Sequence, residues 1–175
     1  MKKNLIDQLS QYAGYHRDRR NIATHFIGIP MIVLAVATLL ARPSFEVAGF
    51  TVSLATLVTV ATALYYLRLD LRFGLAMGVL LALSLWFAQV CAAGSTPFWL
   101  SMGLGLFVLG WAFQFVGHHY EGRKPAFVDD IVGLIIGPLF VVAELAFVLG
   151  LRPEVQRAIE ARVGAVKGSG AAKAA

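Results

Sequence analysis

The sequence predicts an all-α integral membrane protein: a bundle of about five transmembrane helices behind a short N-terminal interfacial helix. Three observations carry that prediction. Segments 47–67, 73–93 and 94–117 hold no charged side chain and no histidine, while 22–41 holds only His25 and 131–150 only Glu144. Each runs to ~20 residues, which at ~1.5 Å per residue crosses a ~30 Å hydrocarbon core. The 175 residues are 58% hydrophobic and only 14% charged, against about 25% charged in soluble domains. The net charge of +5 gathers at the ends of the apolar runs, which makes membrane lipid headgroups the expected partners rather than nucleic acid.

Residues 1–15 are polar, with Leu5, Ile6, Leu9, Tyr12 and Ala13 at the spacing of a short amphipathic helix on the membrane surface. Residues 1–20 carry charge throughout and lack the apolar centre of a signal peptide. The first span closes near Ala41-Arg42-Pro43, and the second runs over 47–67. Arg68-Leu69-Asp70-Leu71-Arg72 turns the chain into the third, and Gly94-Ser95-Thr96-Pro97 into the fourth. The fifth run, 131–150, contains Gly137-Pro138, so it is either a full span or a re-entrant segment broken there. One membrane-embedded domain is expected over 1–151, followed by a polar tail over 152–175 whose end, 168–175, reads as disordered. Cys91 lies in an apolar run and packs as a small hydrophobe.

All four histidines fall in two polar patches, His16 and His25 in one, His118 and His119 in the other. Four predicted spans separate the patches, an even number, so both lie on one face together with the Asp70 link. That face also carries Arg17, Arg19, Arg20, Arg68, Arg72, Arg123 and Lys124, against Arg42 in the opposite loops. The positive-inside rule makes it cytoplasmic, for a bacterial chain the inner face of the inner membrane.

Imidazole is the commonest metal-binding side chain, so the convergence points to a metal centre. Helix geometry constrains it. His16 and His25 are nine residues apart, ~180° and ~13 Å on a straight helix, so a break must lie between them. Asn21 and Thr24 are candidate caps for that break. His118 and His119 sit ~100° apart, so both reach one ion only at a helix end, for which Gly117 and Gly122 are suited. With no thiolate at hand, imidazole and carboxylate donors suit zinc, iron, copper or nickel. Asp18, Asp70, Glu121, Asp129 and Asp130 are the carboxylates available on that face. Glu144 is the one acid deep in an apolar run, where ionisation is costly and a role is the default expectation.

The paired motifs His16-x4-Asn21-x3-His25-x2-Gly28-x-Pro30 and Gln114-Phe115-x-Gly117-His118-x2-Glu121-x-Arg123-x-Pro125-Ala126 resemble those of the 2-hydroxy fatty acid dioxygenases of phytosphingosine breakdown and their bacterial relatives. The resemblance covers roughly residues 12–149. It implies an Fe(II)-dependent alpha-oxidation in which a long-chain 2-hydroxy fatty acid and O2 give the one-carbon-shorter fatty acid and CO2. It also implies that His16, His25, His118 and His119 are the catalytic iron ligands. Arg17, Arg20 and Arg123 would then neutralise the substrate carboxylate, and Asn21, Asp70 and Glu121 would orient the histidines. Two other readings stay open: a zinc-dependent membrane hydrolase with Glu121 or Glu144 as base, and a non-enzymatic lipid-binding protein.

Overall fold

A computed structural model describes residues 4–125 and 132–167. Residues 1–3, 126–131, with Asp129 and Asp130, and 168–175 lie outside the described residues. The chain is all-α apart from one hairpin, and it forms two compact units, 1–29 with 112–175 and 30–111.

The second unit is the simpler. The hairpin pairs β1 (Ser44–Val47) with β2 (Phe50–Ser53), turning through Ala48 and Gly49, both at positive φ. It occupies the stretch expected as the start of the second span. Short apolar runs do not distinguish strand from helix by periodicity, and here the turn decides. Helix α3 therefore spans only Leu54–Leu69, with Ser53 and Thr56 forming a capping box. Its 16 residues rise ~24 Å, short of a full hydrocarbon core. Asp70 is the only break before α4 (Leu71–Ala93), and its carboxylate accepts the Phe73 N–H at 2.9 Å. A Cβ on Gly74 would lie 2.5 Å from the Leu67 Cα, so α3 and α4 pack backbone to backbone.

Two long helices pass through both units. α2 covers Arg19–Leu40 and α5 covers Thr96–Glu121, and with α4 they are the helices long and apolar enough to cross a membrane. α2 begins at Arg19, two residues before the expected cap at Asn21. Asp18 is the cap, accepting the Arg20 N–H at 2.8 Å, and Asn21 and Thr24 lie inside the helix. The Arg20 side chain bonds the same carboxylate and holds its pKa down at about 2. α5 runs through Gly117 and stops at Gly122, whose φ of 68° suits glycine.

In the first unit, α1 (Leu5–Ala13) starts with a reciprocal Asn4–Asp7 capping box. Its apolar face, Leu5, Leu9, Tyr12 and Ala13, is buried against two C-terminal helices, α6 (Gly133–Val148) and α7 (Pro153–Val163). The sequence suggested a break at Gly137-Pro138, but α6 continues through both. The chain bends instead between α6 and α7, by 114°, where Gly150 and Arg152 take positive φ. α7 turns Val155 and Ile159 inward, Arg162 meets Asp7 at 2.7 Å, and the Lys167 N–H donates to the Arg17 carbonyl at 2.8 Å. The described part of the segment expected as a polar tail, 152–167, thus packs beside the N-terminal helix. The bent pair α6–α7 is either a broken span or a re-entrant loop, with its break after Val148 and not at Gly137-Pro138.

Candidate metal centre

The break the histidines require lies at residues 14–18, between α1 and α2. It folds the chain so that His16 faces back toward His25, one and a half turns into α2. His118 comes from the last turn of α5. The three rings stand 4.5, 5.0 and 5.1 Å apart by centroid, and one potential ligand atom from each lies within 4.8 Å of the others. His16 and His25 are fully buried and His118 is 7% exposed. Among the described residues this is the group able to hold a metal.

The hydrogen bonds fix the tautomers of two of the rings. His16 Nδ1 donates to the Tyr12 carbonyl at 2.8 Å, and His25 Nδ1 donates to the Asn21 carbonyl at 2.9 Å. A carbonyl oxygen only accepts, so both protons are on Nδ1 and both Nε2 atoms carry bare lone pairs. Those two Nε2 atoms face each other at 3.0 Å. Burial, and then the His25 ring beside it, hold the His16 pKa well below the ordinary histidine range, so a shared proton is disfavoured. Two lone pairs aimed at one point fit a metal cation, and each ring is oriented by a backbone carbonyl as metal-ligating histidines usually are. The residues present therefore fit a metal bound by His16, His25 and His118.

His119 is not in the group. It is exposed on the far side of the α5 end, with its ring 6.1 Å from that of Tyr120. The helix continues to Glu121, so adjacent residues diverge by ~100° and only His118 faces inward.

Glu121 organises the centre without belonging to the ligand group. Its Oε2 accepts from the Arg17 N–H at 2.9 Å, the Asp18 N–H at 2.7 Å and the Asn21 side-chain amide at 3.1 Å. One carboxylate thereby ties the end of α5 to the break carrying His16 and to the first turn of α2. Gly117 allows the approach: a Cβ there would collide with Thr24 Oγ1 and Asn21 Oδ1. On the third side, Tyr12 stacks on His16 with centroids 4.2 Å apart, and Phe140 of α6 packs against both rings.

The arginines divide. Arg17 is buried and turned inward: Nε donates to the Ala13 and His16 carbonyls, and Nη1 to the Gly164 carbonyl. Its Nη2 has no hydrogen-bond partner and lies 3.8 Å from Glu144 Oε1. Arg20 is exposed, paired with Asp18 and lying over the Tyr120 ring, and Arg123 donates to the Gly14 carbonyl. Asp70 caps α4 in the other unit, which accounts for its carboxylate there. Tyr12 and Phe140 were not singled out as site residues. The sequence signal for Tyr12 was its position one turn before His16, but Phe140 is one apolar residue among many in its run.

The curated 2-hydroxy-palmitic acid dioxygenase MPO1 of Saccharomyces cerevisiae is 35% identical over 165 residues, covering 91% of each chain. No solved structure matches. The family model described as 2-hydroxy-palmitic acid dioxygenase Mpo1-like matches residues 2–149. That span includes all three converging histidines, Glu121 and Glu144, and the chain belongs to the Mpo1-like family.

Proposed function

We propose that this chain is an Fe(II)-dependent dioxygenase that shortens long-chain 2-hydroxy fatty acids by one carbon, with release of CO2. The observation that carries the reading is the pair of bare Nε2 atoms facing each other at 3.0 Å beside His118. The activity named for the yeast relative supplies the substrate class. The reaction balances without an outside reductant. RCH(OH)COOH and O2 give RCOOH, CO2 and H2O: the C1–C2 bond breaks, both carbons are oxidised, and four electrons reduce O2. Iron bound by the three imidazoles would supply the stepwise electron transfer to O2 that an organic acid alone lacks.

The chain's own residues do the rest. His16 and His25 are held in one tautomer by backbone carbonyls, which keeps both Nε2 atoms free to ligate. Arg17 brings a buried cationic N–H donor without a hydrogen-bond partner, suited to the substrate carboxylate, with Glu144 paired to it at longer range to balance the charge when the carboxylate is absent. Burial of all three histidines keeps bulk water from competing. The acyl chain would lie among the apolar helices while the headgroup reaches the centre from the cytoplasmic face of the inner membrane. His119 takes no part as a ligand in this reading.

Anaerobic purification, metal quantification and an O2-dependent assay with 2-hydroxypalmitate test the proposal. Stoichiometric iron and formation of pentadecanoate are expected. Stoichiometric zinc without O2 uptake overturns the dioxygenase reading in favour of a hydrolase, and protein that holds no metal overturns both.

A further inference from the structure

Gln114 is 5% exposed, and its side-chain nitrogen is buried without a hydrogen-bond partner. A buried amide donor left unpaired costs about 1–3 kcal/mol and calls for an explanation. Its position supplies one. Gln114 precedes His118 by four residues on α5, so the two share a face, one turn or ~6 Å apart along the axis. Around the centre α2 and α5 run antiparallel, Asn21 bonding Glu121 and His25 standing 5.1 Å from His118. Continuing that register one turn deeper brings Gln114 level with the buried Gly28, which has no side chain to accept a hydrogen bond. Ile29 beside it is apolar and packs toward Gly137. The amide therefore lies one turn of α5 away from the three imidazoles, toward Trp111, whereas Arg17, held by Ala13, His16 and Gly164, lies at the other end of the group beside Glu144.

The order of donors along this axis matches the order of groups in one kind of molecule. A 2-hydroxy acid presents its carboxylate first, then the C2 hydroxyl, then the chain. With the carboxylate toward Arg17 and the chain toward the bilayer, the oxygen nearest Gln114 is the C2 hydroxyl. We infer that Gln114 donates a hydrogen bond to the 2-oxygen of the substrate and so distinguishes 2-hydroxy acids from unsubstituted fatty acids. This rests on the substrate reading above and adds the residue that would enforce it. A site that offers a donor to a substrate oxygen rejects the analogue lacking it, because the donor is then left unpaired.

The test is anaerobic binding to metal-loaded, detergent-solubilised protein, where no turnover occurs, with 2-hydroxypalmitate and palmitate as displacing ligands of a fluorescent fatty acid. Metal content is measured on the same samples. Wild type is expected to prefer 2-hydroxypalmitate by tenfold or more. Gln114→Met, close in shape and without a donor, is expected to lose about tenfold in 2-hydroxypalmitate affinity with palmitate affinity and metal content unchanged. Gln114→Leu, which also removes the amide without adding a charge, is expected to lose the same preference, and it decides the matter if the Met variant does not retain metal. A variant that keeps the wild-type preference, or weakens both ligands equally, overturns the role of Gln114 and leaves the substrate assignment standing. A wild type with no preference overturns the substrate assignment, and the inference with it.

Discussion

Replacing Glu121 with alanine takes the acceptor away from three donors at once. Two are backbone N–H groups, of Arg17 and Asp18, and the third is the Asn21 amide, at 2.9, 2.7 and 3.1 Å. Hydrogen bonds to a charged group contribute about 1.5–3 kcal/mol each. All three donors here are part-buried, so water recovers some of the loss, and a net cost of about 3 kcal/mol is expected rather than the full sum. That cost falls on the arrangement that brings His16 back to His25 and His118. A metal that binds only this arrangement must restore it on binding, so affinity drops by about two orders of magnitude at 1.4 kcal/mol per decade. The value sits at the upper end of the 10–100-fold typical for residues behind metal ligands. Glu121→Gln keeps a carbonyl acceptor without the charge and should lose roughly tenfold. Anaerobic titration with Co(II) against a chelator of known affinity measures both variants, with circular dichroism confirming that the helices persist. If Glu121→Ala binds the metal as tightly as wild type, the latch is not what assembles the centre.

Three further outcomes follow from the same geometry. Single alanine replacements of His16, His25 and His118 should each abolish stoichiometric metal, whereas His119→Ala should retain it; equal loss across all four, read by mass spectrometry of the metal, refutes the three-ligand centre. Gly117→Ala should lower both thermal stability and metal content, because the added methyl meets Thr24, Asn21 and His25; a variant unchanged in both shows that α2 and α5 separate at little cost. The metal-free protein should lose stability on acidification. Folded His16 stays neutral while the unfolded chain takes up a proton below a pKa of about 6.5, so the stabilisation is fully present above that value and falls as pH drops, by up to about 1.4 kcal/mol per unit. Unfolding midpoints in detergent that stay level or rise between pH 7.5 and 5.5 contradict this.

Much of the fold and part of the centre were legible because both depend on strong, local signals. The apolar runs set α2, α4 and α5, and an even number of runs between the patches put His16, His25 and His118 within reach. The requirement for a break between His16 and His25 also followed from helix angles alone. Its position did not: Asp18, Asn21 and Thr24 are all acceptable caps by type, and the choice of Asp18 depends on Glu121, 103 residues away, accepting its N–H. The exclusion of His119 depends on whether α5 ends before or after it, a matter of one turn. The hairpin at Ser44–Ser53 was hidden inside an apolar run. The inward turn of Arg17 was least accessible, since three of its partners are carbonyls, and a carbonyl has no sequence signature.

The latch between Arg17 and Glu121 joins residues 104 apart, and the Arg17–Gly164 bond joins residues 147 apart. His16 and His25 are therefore synthesised well before the groups that complete their surroundings. At about 5–20 residues per second, the N-terminal pair waits about 5–20 s for its partners. During that interval the two imidazoles are an incomplete, accessible chelator beside the growing membrane helices. Metal captured then would be held by a partial donor set, and the affinity series of divalent ions rather than the finished geometry would choose it. In the enzyme proposed above, correct metal loading would thus be a problem of timing as well as of coordination, settled only when the segments around Arg17, Glu121 and Gly164 meet.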